Sequence, residues 1–514
     1  MTVTAERRGA VRLSSPWQRG AAAALAGALP ALAFPAPSLW WLAYAALVPW
    51  MLLARSAPTG RRAALDGWLG GAGFMLAVHH WLLPSLNVFI VALALLLGAL
   101  WAPWGWAVRR LLGPGALPGQ AAAATVLLPS GWLMVELVRS WQYLGGPWGL
   151  LGASQWQVPP ALRLVSVGGV WLVSFLVVLV NTCLVALLAV PAVRRPAVTA
   201  LTVAALVTTA VWLWAPRARQ SGAARIAIVQ SGVLPAGESR FQREIQLTRQ
   251  LAGTHPDLVV WGESSVTVDL SDHRRTADRL TALSREVGAD LLVNVDAARA
   301  DGTGISKTSE LVGPDGVTGP TYDKMRLVPF GEYIPLRSVL GWATSVGRAA
   351  GQDRRPGTRQ VVMDTGSLRF GPLVCFESAF PDMSRHLTGD GAELLIAQSS
   401  TSTFQNSWAP AQHASLAALR AAEDERPMVH ATLTGISAVY DAEGRPVGRR
   451  IGTGSSTSVV YEVPLATGRS LYVRFGDWVP RLALLMALAA VAYEALGRVR
   501  RPAPALPKAA GQAG

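Results

Sequence analysis

Long apolar runs occupy the first part of this chain and its end, and a polar stretch lies between them. A helix that crosses a bilayer needs about 20 apolar residues. Seven runs of roughly this kind precede residue 217, and an eighth follows residue 478. The pattern predicts a polytopic α-helical membrane domain of about eight transmembrane helices. The predicted spans are residues 21–34, 39–54, 64–83, 88–108, 121–138, 162–190, 197–214 and 479–496.

The first run is short, and two interpretations of it are open. Basic residues precede it, and Ala31-Leu32-Ala33 resembles the cleavage site of a secretory signal peptide. Another apolar run follows almost at once, however, and six more come later. This order favours an uncleaved helical hairpin.

The polar stretch has the periodicity of an α/β domain. Short runs rich in Val, Ile and Leu have the length of buried strands, and polar helical stretches separate some of them. Alternating strands and helices indicate layered sheets. The predicted strands are 226–230, 258–261, 291–295, 368–375, 394–397, 432–440 and 457–463, and the predicted helices are 238–252, 273–287 and 411–425.

Arginines mark every second loop of the apolar part, as the positive-inside rule requires of cytoplasmic loops. The predicted organisation is a basic cytoplasmic N-terminus (1–20), seven spans (21–216), an exterior domain (217–478), an eighth span (479–496) and a disordered cytoplasmic tail (497–514). The marking residues are Arg7, Arg8, Arg12, Arg19, Arg55, Arg61, Arg62, Arg109, Arg110, Arg194, Arg195, Arg498, Arg500 and Arg501.

Composition supports this division. Of the 514 residues 51% are hydrophobic and only 15% charged, against about 25% in soluble domains, so the composition argues against a purely soluble enzyme. Three of the 32 acidic residues precede residue 217. The net charge of +14 indicates topology and not nucleic-acid binding, because the basic residues form no surface interleaved with aromatics. The two cysteines lie in different halves, and neither a metal nor a cofactor is predicted.

Charged residues inside an apolar span are costly and therefore informative. Glu136 and Arg139 are three residues apart at the outer end of the fifth span, and they precede Trp148. One interpretation is an interfacial ion pair with aromatic anchors. The other is the lining of a lipid-headgroup site. His79 and His80 are adjacent and point to different helix faces, so they are interpreted as interfacial anchors and not metal ligands.

Three residues of the polar stretch could form a nucleophilic site. Cys375 ends the predicted apolar strand 368–375 and precedes Glu377; a buried cysteine is more often a small hydrophobe, but no partner cysteine shares this domain. Glu263 ends another apolar run, where a carboxylate must be paired or functional. Lys324 is one of only three lysines among 46 basic residues. A surface salt bridge is the alternative for each charged residue.

Glu, Lys and Cys in this order resemble the carbon–nitrogen hydrolase (nitrilase) superfamily, and with seven preceding spans and one following span the chain resembles the apolipoprotein N-acyltransferases. The motifs are Gly-Pro-Trp at 146–148, Trp-Gly-Glu at 261–263, Tyr-Asp-Lys at 322–324, Leu-Val-Pro-Phe-Gly-Glu at 327–332, Val-Cys-Phe-Glu at 374–377, Thr-Gly-Ile-Ser at 434–437 and Leu-Tyr-Val-Arg-Phe-Gly-Asp-Trp at 471–478.

The resemblance implies an exterior αββα sandwich and a ping-pong acyl transfer. An acyl chain would pass from a membrane phospholipid to Cys375 as a thioester. It would then pass to the α-amine of a diacylglyceryl-cysteine on an apolipoprotein. Glu263 would be the general base and Lys324 would stabilise the oxyanion, while Glu332 and Glu377 would support them. The implied location is the inner membrane of the cell, with the catalytic domain on the periplasmic face.

Two segments add expectations of their own. The family usually has Asn-Asp-x-Trp-Phe after the strand at 394–397, whereas Gln-Ser-Ser-Thr-Ser-Thr-Phe stands at 398–404 here, so no contact from this loop is carried over. Trp408 lies too far along to replace the missing tryptophan. The loop 336–346 is apolar for an exterior segment. It either dips towards lipid or packs on the domain as a lid.

Two other functions remain open on the sequence. A membrane-tethered amidase or nitrilase would use the same residues but pass the acyl group to water. A transporter with an exterior binding domain would need paired charges or broken helices at mid-membrane. Apart from Glu136 and Arg139, the pattern predicts neither.

Overall fold

A computed structural model describes residues 15–299, 302, 304–341 and 351–499. The predicted basic segment with Arg7, Arg8 and Arg12 lies outside the described residues. So do positions 342–346 of the predicted apolar loop and the tail from residue 500.

The first unit consists of helices. Short 3-10 segments, among them Leu29–Ala33 and Ala99–Trp101, join several of them. The helices are α1 (Pro16–Ala28), α2 (Ala43–Ala46), α3 (Val48–Arg55), α4 (Gly60–Val78), α5 (Leu83–Leu86), α6 (Phe89–Gly98), α7 (Ala102–Leu112), α8 (Pro118–Arg139), α9 (Pro159–Ala189) and α10 (Arg194–Trp214).

Among the described residues, five helical stretches are long and apolar enough to cross a membrane. They coincide with the fourth to eighth predicted spans. Shorter or more polar helices cover the first three: α1 has 13 residues, α3 has eight, and α4 carries charges in its first turns. A count of eight therefore stays a prediction. The five stretches are Phe89–Leu112, Pro118–Arg139, Pro159–Ala189, Pro191–Trp214 and Trp478–Leu496.

Buried aromatic rings fill the centre of the helical unit. Trp132 lies 5.2 Å from Trp104, 5.4 Å from Trp101 and 5.9 Å from Trp50, centroid to centroid. Tilted and edge-to-face pairs at such distances are favourable beyond the area that they bury. Helices α1 and α4 pack closely at Gly27, which has no side chain. A Cβ there would stand 1.9 Å from the carbonyl oxygen of Gly70.

One predicted span is interrupted. Gly168 and Gly169 have non-helical dihedral angles, with φ of 68° at Gly169, so α9 is two helices joined across a break. The predicted span 162–190 therefore contains a break near its start. The break lies in the first third of α9, beside the second unit, and Gly169 permits there a positive φ that other residues avoid.

The second unit combines helices and strands, and α17 (Trp478–Val499) follows it. Its elements are β1 (Arg219–Gln230), α11 (Glu238–Arg249), β2 (Leu258–Trp261), α12 (Arg274–Val287), β3 (Asp290–Ala298), β4 (Ile305–Gly313), β5 (Gly316–Asp323), α13 (Arg337–Leu340), β6 (Met363–Asp364), β7 (Arg369–Val374), α14 (Pro381–Gly389), β8 (Leu394–Ser399), α15 (Ala409–Asp424), β9 (Met428–Thr432), β10 (Ser437–Tyr440), β11 (Pro446–Ile451), β12 (Thr457–Thr467) and α16 (Leu471–Phe475).

Two six-stranded sheets form the centre of this unit, in the orders β12-β1-β2-β3-β4-β5 and β11-β10-β9-β8-β7-β6. The strands β1-β2-β3 and β7-β8-β9 are parallel, and the outer pairs are antiparallel. Apolar side chains such as Ile228, Val260, Phe370 and Ile396 fill the space between the sheets. Helices α11 and α12 cover the first sheet, and α14 and α15 cover the second. The predicted α/β layered fold class is confirmed.

The second helix layer also faces the membrane unit. One continuous apolar cluster joins Leu416 and Leu419 of α15 with Trp171 of α9 and with Leu395 of the sheet. This double packing explains why nearly every residue of α15 is buried.

The local predictions differ from the structure in several places: β6, β9, β11 and α14 have no predicted counterpart, and two further differences concern strands. The predicted strand 432–440 is a turn followed by β10, because the chain reverses between β9 and β10. The hairpin of β4 and β5 was not predicted at all. Its strands mix polar and apolar residues without the short apolar run that marks β2 or β8.

Candidate active site

The three residues predicted to carry out the reaction lie close together, each at or just beyond the end of a strand. Glu263 lies two residues beyond β2, Lys324 directly follows β5, and Cys375 directly follows β7. The amide of Glu263 donates to the carbonyl oxygen of Ser399 at 3.2 Å, which ties the first sheet to the second. The side chain of Gln398 adds a second tie, since it donates to the carbonyl of Trp261 at 2.9 Å.

Two lysines and two glutamates form an alternating ring of charge. Lys324 Nζ is 3.1 Å from Glu263 Oε1 and 2.8 Å from Glu332 Oε1. Lys307 Nζ is 2.8 Å from the same oxygen of Glu263 and 3.0 Å from the same oxygen of Glu332. Glu332 is held in turn by the amide of Val328, which donates to Oε2 at 2.8 Å. All four charged side chains are nearly or wholly buried.

Lys307 was not among the site residues predicted from the sequence. The hairpin places it beside Lys324, whose amide donates to the carbonyl of Lys307 at 2.8 Å. The scarcity that singled out Lys324 applies equally to Lys307, since only three lysines occur in the chain. The rarity of lysine could therefore have pointed to Lys307 as well. Its position beside Lys324 depends on the register of a hairpin that was not predicted.

The ring fixes the charge state of its members. Burial would raise the pKa of Glu263, but the charges of Lys307 and then Lys324 lower it to about 2. Burial likewise opposes the charge of Glu332, yet Lys324 and Lys307 hold its pKa below the usual value. Burial would lower the pKa of Lys324, but Glu263 and Glu332 raise it well above normal. All of these groups are therefore ionised near neutral pH.

Cys375 occupies a tight turn between β7 and a 3-10 segment, Cys375–Ala379. Its φ of 51° is uncommon for a residue other than glycine, and such strain often marks a functional turn. Its Sγ lies 3.8 Å from the carbonyl oxygen of Ser400, and the thiol also donates a hydrogen bond to the Glu263 carboxylate. Burial, and then the charge of Glu263, raise the pKa of the thiol to about 12. The thiol is thus protonated at rest.

His413 of α15 supports this turn. Its Nε2 lies 3.0 Å from the carbonyl oxygen of Cys375 and 3.0 Å from Ser378 Oγ. Burial lowers the pKa of His413 to about 4, so the ring is neutral, and the tautomer protonated at Nε2 donates to the Cys375 carbonyl.

Glu377 braces the site without contacting the charged ring. Its Oε1 accepts from the Tyr322 hydroxyl at 2.8 Å and from the amides of Met325 and Arg326 at 2.7 and 3.0 Å. Its Oε2 accepts from the amide of Val374 at 2.8 Å. The carboxylate thereby joins the segment after Lys324 to the strand before Cys375.

The three residues considered for lipid contact lie at the junction of the two units. Glu136 accepts from the amide of Leu151 at 2.7 Å, and Arg139 donates to the carbonyl of Trp148 at 2.5 Å. Trp148 Nε1 donates to Gln412 Oε1 at 2.7 Å, next to His413. Glu136 and Arg139 are buried and form no ion pair with each other. Headgroup contact by these residues stays a prediction.

The remaining predictions concern metals and the apolar loop. No group of three His, Cys, Asp or Glu residues in the described part of the chain could hold a metal ion. In the described start of the apolar loop, Leu336 and Val339 are 74% and 66% exposed. Contact of this loop with lipid stays a prediction.

Two family models match the chain in tandem: "Apolipoprotein N-acyltransferase N-terminal domain" over residues 26–183 and "Carbon-nitrogen hydrolase" over residues 225–472. An apolipoprotein N-acyltransferase of Geobacter metallireducens is 32% identical over 481 residues, which cover 88% of this chain and 91% of that protein. Proteins of the same name from Azotobacter vinelandii and Pseudomonas aeruginosa are 30% and 29% identical. They cover 90% and 95% of this chain and 92% and 97% of their own lengths.

Proposed function

This chain belongs to the apolipoprotein N-acyltransferase family, and on that premise we propose that it transfers an acyl chain from a membrane phospholipid to the N-terminal α-amine of a diacylglyceryl-cysteine on an apolipoprotein. The observation that carries the proposal is the hydrogen bond between Cys375 and Glu263, a member of the buried ring that also contains Lys324. Nucleophile, base and cation are the parts that acyl transfer through a thioester requires.

The first half-reaction forms the thioester. Cys375 Sγ attacks the ester carbonyl carbon of the phospholipid, its proton passes to Glu263, and the oxyanion forms beside Lys324. A single donor in this role typically lowers the barrier by ~3 kcal/mol. Collapse of the tetrahedral intermediate expels an alkoxide, which takes the proton back from Glu263 and leaves as a lysophospholipid.

The second half-reaction forms the amide. The α-amine attacks the thioester carbonyl, and Glu263 accepts a proton from the attacking nitrogen. Collapse expels the Cys375 thiolate, which is reprotonated by Glu263. The products are the N-acylated lipoprotein and the free enzyme, so no cofactor is needed for the atoms to balance.

The resting charges decide when the thiol loses its proton. With a thiol pKa of about 12 and a Glu263 pKa of about 2, a free thiolate is strongly disfavoured. Proton transfer therefore accompanies attack, when the negative charge moves from sulfur to an oxygen next to Lys324. Glu332 positions Lys324, and Glu377 holds the segment after Lys324 against the Cys375 turn.

The proposed location is the inner membrane, with the catalytic unit exterior. The chain is a membrane protein by family and by its apolar helices. Arginine-bearing loops lie at one end of the helical unit and the catalytic unit lies at the other. Both proposed substrates are lipid-anchored, so a site that faces the bilayer from outside would receive them both.

A labelling experiment tests the function. Purified protein is incubated with a phospholipid of defined acyl mass, and Cys375 should gain that mass as an adduct labile to hydroxylamine. Cys375→Ala should gain none, because its side chain has no nucleophile. Cys183→Ala is the matched control, since Cys183 is buried in α9 of the membrane unit, and it should be acylated normally. A labile adduct in Cys375→Ala would refute the assignment.

The acceptor is tested in the same system. Addition of a diacylglyceryl peptide should discharge the adduct and yield an N-acylated peptide. Steady release of fatty acid from phospholipid alone, with no acylated peptide, would instead support the membrane-tethered hydrolase.

A further inference from the structure

Lys307 occupies a place in the charged ring that the proposed mechanism leaves without a role. It lies on β4, directly beside the first residue after β5, so the hairpin register brings both lysines to Glu263 and Glu332. Its Nζ also lies 3.7 Å from Asp296 Oδ2 on β3. The side chain is only 11% exposed, so water screens these charges little.

The ring would be unbalanced without this lysine. Glu263 Oε1 and Glu332 Oε1 both lie within 3.1 Å of one nitrogen, Lys324 Nζ. Two carboxylates in such proximity repel each other, and with a single cation between them one of the two tends to take up a proton. A protonated Glu263 cannot accept the proton of Cys375.

The N–H donors of Lys324 also indicate a role for Lys307. An ammonium group has three N–H donors, and Lys324 uses two of them on Glu263 and Glu332. Because Lys307 shares both carboxylates, Lys324 need not neutralise them alone. Its third N–H has no bonded partner among the residues that the structure describes, so it can serve an oxyanion on the substrate.

We propose that Lys307 is a positioning residue for the acyl transfer: it keeps Glu263 ionised and directed at Cys375, and it leaves Lys324 a donor for the oxyanion. This inference rests on the proposed function. Among the charges that act on Glu263, that of Lys307 is the larger of the two that lower its pKa. Asp296 is matched by Arg354 at 3.2 Å, so Lys307 is not drawn away from the ring.

Glu263 faces charged or titratable groups from several elements, and the pH test takes all of them into account. These are Lys307 on β4, Lys324 after β5, Glu332 in the following loop, Cys375 after β7 and His413 on α15.

The test is the pH profile of thioester formation on Cys375. For Lys307→Met we expect the rate at neutral pH to fall at least ~10-fold, a loss of about 1.4 kcal/mol. The reason is that Glu263 is no longer held towards Cys375 and Lys324 must neutralise both carboxylates alone. The acid limb should move up by about one pH unit or more. The sign follows because loss of the cation raises the pKa of Glu263, so the base is lost to protonation at a higher pH. Lys307→Arg keeps the charge and should keep the limb in place, even if the larger group slows the reaction.

Arg249→Met is the matched control. It removes a cation paired with Glu286 at 3.0 Å on the exposed surface of the same unit, and it should leave rate and profile unchanged. If Lys307→Met fails to fold, as judged by its melting temperature, Lys307→Gln replaces it in the same measurement.

The outcomes separate the two proposals. If the unmodified protein forms no thioester, the proposed function fails. If it does, and the folded neutral variant shows the unmodified rate and acid limb, the role of Lys307 is refuted.

Discussion

The three buried glutamates near Cys375 differ in the donors that surround them. Glu263 and Glu332 face ammonium groups, whereas Glu377 faces three backbone amides and a tyrosine hydroxyl. A carboxylate that accepts four bonds within the protein is a structural brace. Burial raises the pKa of Glu377, which separates it from the other two.

Replacement of Glu377 by glutamine should therefore damage the site through its support. One end of an amide is a donor, so it would face either the amide of Val374 or the amides of Met325 and Arg326. An unsatisfied buried N–H costs about 1–3 kcal/mol. We expect the melting temperature to fall and thioester formation to slow more than ~10-fold. Glu286→Gln, on the surface, is the control; equal stability and rate in both variants would contradict this prediction.

Candidate site residues could be proposed from the sequence where they lay at the end of a predicted strand. Glu263 and Cys375 each end a clear apolar run, and Lys324 lies in a distinctive string, so all three could be proposed as site residues before the fold was known. Lys307 could not, because its place depends on the register between β4 and β5. Nor does any sequence pattern show that His413 contacts the carbonyl of the nucleophile.

Among the elements, α9 and α15 form the joint between the two units. The break at Gly168 and Gly169 frees the amide of Val170, which donates to Glu423 Oε1 of α15 at 2.6 Å. The backbone carbonyl of Glu423 accepts from Ser470 Oγ at 2.6 Å, at the start of α16. The apolar run predicted a span but not this break near its start, because hydropathy does not register a local change of dihedral angle.

Gly169→Ala should weaken this joint. Gly169 combines a φ of 68° with a ψ of −178°, a region open essentially to glycine alone, where another residue costs about 1–3 kcal/mol. A Cβ there would also stand 2.7 Å from the Tyr472 ring. We expect a lower melting temperature in detergent. Gly119→Ala on α8 is the control, since a Cβ there meets nothing within 4 Å. Equal melting temperatures for Gly169→Ala and Gly119→Ala would contradict the prediction.

In the whole molecule, the arginine-bearing loops lie at one end of the helical unit and the catalytic unit lies at the other. Arg55 donates to the carbonyl of Ala189 at 2.8 Å and Arg109 to that of Ala57 at 2.6 Å, so loops distant in sequence meet at one basic end. At the other end, Trp81 and Trp148 both donate to Gln412 of the catalytic unit. The alternation of basic loops was predictable from sequence. The packing of α15 between a sheet and the membrane unit was not predictable, because its sequence does not show two separate apolar faces.

Orientation in the membrane can be tested with single cysteines in a Cys183→Ser, Cys375→Ser background. Ser367→Cys, exposed in the catalytic unit, should react with a membrane-impermeant maleimide in intact spheroplasts. Pro114→Cys, exposed between α7 and α8 at the basic end, should react only after permeabilisation, because basic loops are retained in the cytoplasm. The reverse order of labelling would overturn the proposed orientation.

The protonated resting state of Cys375 has a bearing on the lifetime of the enzyme. Oxidation to sulfenic acid and beyond begins from the thiolate. On the proposed exterior side no second cysteine of this chain stands near to form a reversible disulfide, so an oxidised Cys375 would be lost to the reaction. The same burial and carboxylate charge that hold the thiol proton until substrate arrives therefore also protect the sulfur from peroxide during the idle periods between turnovers.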